Sequence, residues 1–134
     1  MINLDLRSST PIYQQVVEQI KTAILRGTLD PGDRLPSVRE MATTLTINPN
    51  TIQKAYQELE RQGIIETVRG RGTFVAEEYR ASGDPGAEEL TALREHFRRG
   101  IVDAHYLGLS ERDIRRLLDE QLHKVLNSGR DEDC

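Results

Sequence analysis

A short run of polar side chains near the middle of the chain is well suited to hydrogen-bond a partner. The run consists of Asn50, Thr51, Gln53 and Lys54. The first carboxylate after it is Glu58, in the third turn of the helix that the sequence predicts from Pro49 onward. The amides of Asn and Gln can each pair with adenine through two hydrogen bonds, and one such contact discriminates by roughly 1 to 3 kcal/mol. A polar helix face without acid suits the major groove of DNA, so Asn50 and Gln53 are the strongest candidates for base contacts.

Three arginines add positive charge around this run. Arg39 falls in the first turn of a predicted helix, where the helix dipole mildly disfavours a cation, so its placement indicates a phosphate or base contact. Arg69 and Arg71 flank Gly70 at a predicted hairpin tip, where glycine allows a tight turn and arginine can reach phosphate or a minor groove. Simpler interpretations stay open: a surface salt bridge for Arg39, and a solvated turn or solvated helix face for the others.

The residues before this region predict an extended segment and one helix. Thr10 supplies an N-cap and Pro11 the first helical position, and apolar residues then recur at helical spacing up to Gly27. Ahead of this helix, apolar and polar residues alternate, which predicts a short strand at the edge of a small sheet. The apolar residues of that alternation are Ile2, Leu4 and Leu6.

Two short helices joined by a tight turn follow. Ser37 and Glu40 form a capping box at the start of the first. Asn48 caps the second and Pro49 takes its first helical position, so Asn48 is chiefly a cap, and this helix ends near Gly63.

Two β-prone runs, 64–68 and 73–76, are separated by Arg69-Gly70-Arg71-Gly72 and predict a hairpin, or wing. The fold class is therefore mainly α with a small β-hairpin wing, a winged helix-turn-helix over residues 1–76. Its candidate DNA-binding residues are Arg39, Asn48, Asn50, Thr51, Gln53, Lys54, Arg69, Gly70 and Arg71.

The remainder of the chain predicts a linker at 77–86, a two-helix C-terminal dimerisation segment at 87–127 and a disordered tail at 128–134. The two amphipathic helices have little of their own chain to cover their apolar faces, which favours a homodimer. Alternatively they buttress the winged module. The candidate dimerisation residues are Leu90, Leu93, Phe97, Ile101, Ile114, Leu117, Leu118 and Leu122.

Charge and length limit the classes of function. The net charge is −4, but residues 1–76 carry nine basic and eight acidic residues, a net +1, whereas 77–134 carry nine and fourteen, a net −5. An acidic C-terminal part is compatible with DNA binding, because affinity depends on the field at the contact face. With 134 residues the chain has no room for a large catalytic domain, and no nucleophile, base and orienting group can be nominated together, so we expect no enzyme.

Other partners are not expected. No apolar run approaches a membrane span and the N-terminus lacks a signal peptide, which predicts a cytoplasmic protein without membrane contact. Cys134 is the one cysteine and ends the chain. The histidines, His96, His105 and His123, lack the spacing of a compact metal motif, so we expect neither a metal nor another cofactor. Tyr106 is expected to be a packing residue.

The chain resembles the GntR family of bacterial transcription regulators over residues 1–76. The motifs that carry the resemblance are Thr10-Pro11-Ile12-Tyr13, Leu35-Pro36-Ser37-Val38-Arg39-Glu40, Asn48-Pro49-Asn50-Thr51, Gly63-Ile64-Ile65-Glu66 and Gly70-Arg71-Gly72-Thr73-Phe74-Val75. The short two-helix C-terminal part is similar to that of the YtrA subfamily, whose members lack the large ligand-binding domain of their relatives.

This resemblance implies a DNA-contacting role for Arg39, for the recognition-helix residues named above and for the wing arginines. Relatives in the fatty-acid-responsive branch have arginines at the positions of Pro49 and Gln53, so a different base pattern is expected here. The resemblance also implies a repressor of a transporter-type operon, with an unidentified small-molecule effector. The predicted homodimer should bind a pseudo-palindromic site on double-stranded DNA because of its twofold symmetry. An activator, and a winged-helix protein-interaction module without DNA binding, remain the alternatives.

Overall fold

The computed structural model describes residues 2–77 and 86–127, which fall into two compact units. The first contains α1 (Ile12–Leu25), β1 (Arg34–Leu35), α2 (Val38–Leu45), α3 (Pro49–Arg61), β2 (Ile65–Val68) and β3 (Gly72–Val75). The second contains α4 (Ala87–Tyr106) and α5 (Glu111–Leu122), followed by a π-helical turn, His123–Asn127. Residues 78–85 of the predicted linker and the whole predicted tail, with Cys134, lie outside the described residues.

The core of the first unit lies between α1, α2, α3 and the inner face of the sheet. In α3, apolar residues at a spacing of three and four place Ile52, Ala55 and Leu59 on one buried face. They meet Val16 and Ile20 of α1, which are also inaccessible to solvent. Further buried side chains of this core are Val17, Leu35, Met41, Ala42, Tyr56, Ile64, Ile65 and Val75.

The sheet is antiparallel with the strand order β1-β3-β2. The predicted edge strand at the N-terminus is wrong, because the third strand is β1 (Arg34–Leu35), whose Leu35 lies opposite Thr73. Two glutamines of α1 explain the difference. The side-chain amide of Gln19 pairs with both the N–H and the carbonyl of Asn3, at 2.6 and 2.7 Å, and Gln15 pairs with Asp5 in the same way. The backbone of the N-terminal arm, residues 2–10, therefore bonds to α1 instead of the sheet.

Most of the predicted helix starts are confirmed. The Ser37 hydroxyl and the Glu40 carboxylate form the reciprocal bonds of a capping box. The first helix departs from the prediction: it begins at Ile12, and Pro11 occupies the N-cap position without a side-chain hydrogen bond. Thr10 precedes the N-cap by one residue, and its carbonyl accepts a 2.9 Å hydrogen bond from the side-chain amide of Gln15.

In the second unit, α4 and α5 are joined by a turn around Gly108, and Ser110 and Asp113 form the capping box that opens α5. The Ser110 N–H and hydroxyl hold the pKa of Asp113 below its usual range. Among the described residues of this unit only Ala104 is buried. The prediction that Tyr106 packs is wrong within this chain: the residue is 84% exposed, and its ring lies nearly perpendicular to the neighbouring His105 ring, with 5.4 Å between their centres.

The apolar stripes of α4 and α5 are largely exposed to solvent in the single chain. Leu90 and Ile114 are half-buried, and the other candidate dimerisation residues are between 44% and 53% exposed. Those residues are Leu93, Phe97, Ile101, Leu117, Leu118 and Leu122. None of the described helices is long and apolar enough to cross a bilayer.

Candidate nucleic-acid interface

The turn between α2 and α3 is short and tightly bonded. Thr46 closes α2 in the left-handed conformation, with φ 56°, and the Ile47 N–H donates a 3.0 Å bond back to the Ala42 carbonyl. The Asn48 side-chain oxygen then accepts from the Asn50 N–H at 2.8 Å, which confirms Asn48 as the cap of α3. These bonds fix the start of α3 relative to α2, the arrangement of a helix-turn-helix.

A buried tyrosine strengthens this arrangement. The Tyr56 hydroxyl donates a 2.7 Å hydrogen bond to the Pro36 carbonyl, just before the Ser37 cap of α2. Burial, and secondarily the negative charge of Glu40, raise the pKa of Tyr56 to about 12. The hydroxyl therefore stays protonated, and a donor, throughout the neutral range.

The outer face of α3 is polar and available. Asn50, Gln53, Lys54 and Gln57 are exposed, and Thr51 is half-buried at the edge of the face. Within the described ranges the side chains of Asn50 and Gln53 make no hydrogen bond to the protein, so their amides are free for a partner. The structure brings Asn50, Thr51, Gln53 and Lys54 together on one helix, as predicted.

The first carboxylate along α3, that of Glu58, is neutralised by partners at the end of the helix. Glu58 accepts hydrogen bonds from Arg61, at 2.5 and 3.0 Å, and from Gln62 at 2.8 Å. These bonds, that of Arg61 first, lower the pKa of Glu58 to about 2. Glu58 is thus held ionised beside a cation one turn further along, and its charge is offset locally.

Arg39 is exposed in the first turn of α2. No carboxylate of residues 2–77 or 86–127 forms an ion pair with it, so the salt-bridge alternative finds no support. Its guanidinium is left open to a partner.

The wing is the hairpin of β2 and β3, in which Val68 lies opposite Gly72 and Ile65 opposite Val75. The turn is closed by a 2.9 Å bond from the Arg71 N–H to the Val68 carbonyl. Gly70, between the exposed Arg69 and Arg71, has φ +81°, and a Cβ there would meet nothing within 4 Å. The glycine is therefore required by its backbone angle alone, and the space around it is open.

A further arginine at the wing was missed by the sequence interpretation. Arg34 of β1 lies opposite Phe74 of β3, and its side chain runs along β3 towards Gly72. A Cβ added at Gly72 would lie 3.1 Å from Nε of Arg34. The glycine makes room for this guanidinium beside the hairpin tip. A strand of two residues carries no periodic signal, so only the pairing of β1 with β3 reveals Arg34 here.

Helix α1 runs alongside α3 in the same direction. The Lys54 ammonium lies over the ring of Tyr13, 4.0 Å from its centre, and the Lys21 ammonium donates a 2.9 Å bond to the Gln62 side chain. In both pairs the α3 residue comes 41 positions after its partner in α1, so the helices are parallel and in constant register. The first turn of α3 consequently extends beyond the start of α1.

Other kinds of site receive no support from the described residues. No group of three or more His, Cys, Asp or Glu within them could share a metal ion. An apolar groove of about 240 Å³ lies between the last turns of α1 and the end of β3, lined in part by Leu25, Ile64 and Val75. This groove is remote from the start of α3.

Two short helices with a tight turn, an exposed polar second helix and an arginine-tipped β-hairpin define the class of winged helix-turn-helix DNA-binding proteins. The family described as bacterial regulatory proteins, gntR family, matches residues 12–75. The chain belongs to this GntR family, whose members are transcription regulators and not enzymes.

Three relatives illustrate the similarity. The HTH-type transcriptional repressor YtrA of Bacillus subtilis (strain 168) is 48% identical over 120 residues, 90% of this chain and 91% of that protein. The crystal structure of a transcriptional antiterminator from Listeria monocytogenes EGD-e is 38% identical with a TM-score of 0.80, over 95% of this chain and 93% of that one. The DNA-binding domain of AraR in complex with operator ORX1 is 33% identical with a TM-score of 0.51, over 57% of this chain and 95% of the domain.

Proposed function

We propose that this protein represses transcription in the cytoplasm by binding a specific operator through α3 and the wing. The observation that carries the proposal is the outer face of α3, where the amides of Asn50 and Gln53 are unbonded and Glu58 is neutralised by Arg61. Similarity to a protein named a repressor and to a domain bound to an operator supports it. Asn50 and Gln53 would read base edges, and Arg39 would contact phosphate or a base. The wing arginines Arg69 and Arg71 would bind phosphate or the minor groove.

We further propose that the repressor is a homodimer joined through residues 87–127. The support is the exposed apolar stripe of α4 and α5, including Phe97 at 53% and Ile101 at 52% exposure, which a second copy would cover. A twofold dimer would bind a pseudo-palindromic site whose half-site centres lie about 34 Å apart, or a multiple of that distance. Similarity to the YtrA subfamily favours a transporter-type operon as the target, under the control of a small-molecule effector.

The DNA-binding proposal is tested by selecting sites from a random duplex pool and measuring affinity for the selected operator across a salt series. A DNA-binding protein should lose affinity steeply as salt rises, and Arg71→Ala should reduce the slope of log K against log salt by about 1. Arg26→Ala is the matched control, because Arg26 is exposed at the far end of α1 from the start of α3. If the wild-type protein binds neither its own upstream region nor random duplex at low salt, the protein-interaction module becomes the better description.

The dimer proposal is tested by sedimentation of the full chain at micromolar concentration. The double variant Phe97→Ser, Ile101→Ser should be monomeric and should bind the operator more weakly. Arg99→Ser, on the opposite face of α4, should stay dimeric. A wild-type monomer that retains full operator affinity would overturn the proposal.

A further inference from the structure

We propose that Lys54 binds the phosphate backbone of DNA instead of a base edge, and that Tyr13 is the positioning residue that holds it there. The proposal rests on the proposed DNA-binding function and assigns two residues within it. Its central observation is the Lys54 ammonium 4.0 Å from the centre of the Tyr13 ring.

The direction of Lys54 separates it from Gln53. Successive residues of an α-helix are turned by about 100°, so Lys54 is turned by that angle from Gln53. The contact with Tyr13 shows the sense of this turn: Lys54 points to the side of α3 that packs against α1. Gln53, in the same turn of α3, lies on the other side of the polar face.

The level of Lys54 along α3 separates it from Asn50, which lies one turn nearer the start of the helix. Because α1 and α3 are parallel and in register, Tyr13 in the first turn of α1 lies beside Lys54 in the second turn of α3. Only the turn of α3 that precedes Lys54 projects past α1. A helix that enters the major groove by its N-terminal residues places its next turn at the edge of the groove, where the phosphates run.

Tyr13 is a fixed platform for the ammonium. Its ring is half-buried against the core. The amides of Gln15 and Gln19 bind the N-terminal arm to the same helix. The face of the ring attracts a cation, and a lysine already held in place loses less conformational freedom when it binds phosphate.

The charge of Lys54 remains available. Within residues 2–77 and 86–127 no carboxylate forms an ion pair with it. Glu58, one turn further along α3, is already bonded to Arg61 and Gln62. A phosphate would therefore be the first anion to neutralise Lys54.

The test compares Lys54→Ala with Asn50→Ala on the selected operator and on a scrambled duplex, across a salt series. Lys54→Ala should weaken binding to both duplexes by the same factor, about 3- to 10-fold at moderate salt, and reduce the salt slope by about 1. Asn50→Ala should lower affinity for the operator only. If Lys54→Ala lowers operator affinity and leaves the scrambled duplex unchanged, Lys54 contacts a base and the assignment is wrong.

The role of Tyr13 is tested by a double-mutant cycle. Tyr13→Leu should weaken binding in the wild-type background and have no further effect beside Lys54→Ala, whereas Tyr13→Phe, which keeps the ring, should bind like the wild type. Equal effects of Tyr13→Leu in both backgrounds would overturn the positioning role. Should Tyr13→Leu fail to fold, the NMR signals of the Lys54 ε-methylene protons in the wild type provide the test. The ring of Tyr13 should shift these signals upfield, and unshifted signals would overturn the contact. Failure of the wild type to bind any DNA would instead overturn the proposed function.

Discussion

The Tyr56 hydroxyl donates a 2.7 Å hydrogen bond to the Pro36 carbonyl and so ties the middle of α3 to the residue that precedes the cap of α2. The bond crosses between the two helices that a helix-turn-helix must hold at a fixed angle. The short turn at Thr46 and Ile47 constrains one end of this pair of helices. Tyr56 supplies a second attachment, and the orientation of the polar face of α3 therefore depends on it.

Tyr56→Phe should destabilise the first unit by about 1 to 2 kcal/mol, because the part-buried Pro36 carbonyl loses its donor while the apolar packing of the ring is kept. Urea unfolding followed by circular dichroism measures this change. Tyr106→Phe is the control, since Tyr106 is 84% exposed and its hydroxyl should contribute nothing measurable. Equal stability of Tyr56→Phe and wild type would show that the bond is replaced by water.

The raised pKa of Tyr56 leads us to expect a loss of stability at alkaline pH. The pKa of Tyr56 is raised in the folded protein from 10.0 to about 12, so the protonated hydroxyl favours the folded state. This contribution is fully present below pH 10 and is lost as the pH rises from 10 to 12. Unfolding free energy measured between pH 9 and about 12 should fall less steeply in Tyr56→Phe than in the wild type. Parallel curves for the two proteins would contradict the assignment.

The sequence predicts the elements that have local signals and misses those that depend on distant partners. The caps at Ser37 and Asn48 are recognisable because capping pairs residues two or three apart. The prediction for the N-terminal arm is wrong because alternation cannot show that the amides of Gln15 and Gln19 bind its backbone. Strand β1 is missed because its two residues are defined only by their pairing with β3, far along the chain.

The candidate site divides in the same way. The polar face of α3 follows from helical spacing, so the sequence alone places Asn50 and Gln53 on the same helix. The contact of Lys54 with Tyr13, 41 positions earlier, depends on how α1 packs against α3 and leaves no trace in the spacing of either helix. The apolar stripes of α4 and α5 are visible in the sequence, but what covers them is not contained in one copy of the chain.

The lowered pKa of Glu58 leads us to expect a small loss of stability at acid pH. Its pKa is lowered from 4.5 to about 2 by the bonds from Arg61 and Gln62, so its contribution is present above pH 4.5 and is lost as the pH falls from 4.5 to 2. The Arg61 side chain is 70% exposed, and solvent screening should keep the effect below about 1 kcal/mol. Glu58→Gln should flatten the acid limb of the stability curve, whereas Glu60→Gln, on the exposed side of the same helix, should not. Identical acid limbs for both variants would refute the prediction.

Thr46 should be a site of stabilisation. It is the one non-glycine residue with positive φ in the described part of the chain, at 56°, and a β-branched side chain is strained there. Thr46→Gly should raise the free energy of unfolding by up to about 1 kcal/mol. The left-handed conformation costs a residue with a Cβ roughly 1 to 2 kcal/mol, and the larger backbone entropy that glycine loses on folding offsets part of the gain. Thr43→Gly, inside the preceding helix, should destabilise by a similar amount. A drop in melting temperature for Thr46→Gly would show that its side chain makes a contact that outweighs the strain.

Gly72 and Gly70 should respond differently to substitution although both belong to the wing. Gly72 has φ +125°, and a Cβ there would lie 3.1 Å from Nε of Arg34, so Gly72→Ala combines backbone strain with displacement of that guanidinium. We expect a loss of about 1 to 3 kcal/mol. Gly70→Asn is the matched control: at φ +81° with nothing within 4 Å, asparagine should cost less than about 1 kcal/mol. Because the crowding involves Arg34, Gly72→Ala should cost less in an Arg34→Ala background than in the wild type, and a purely additive double-mutant cycle would show that Arg34 moves aside freely.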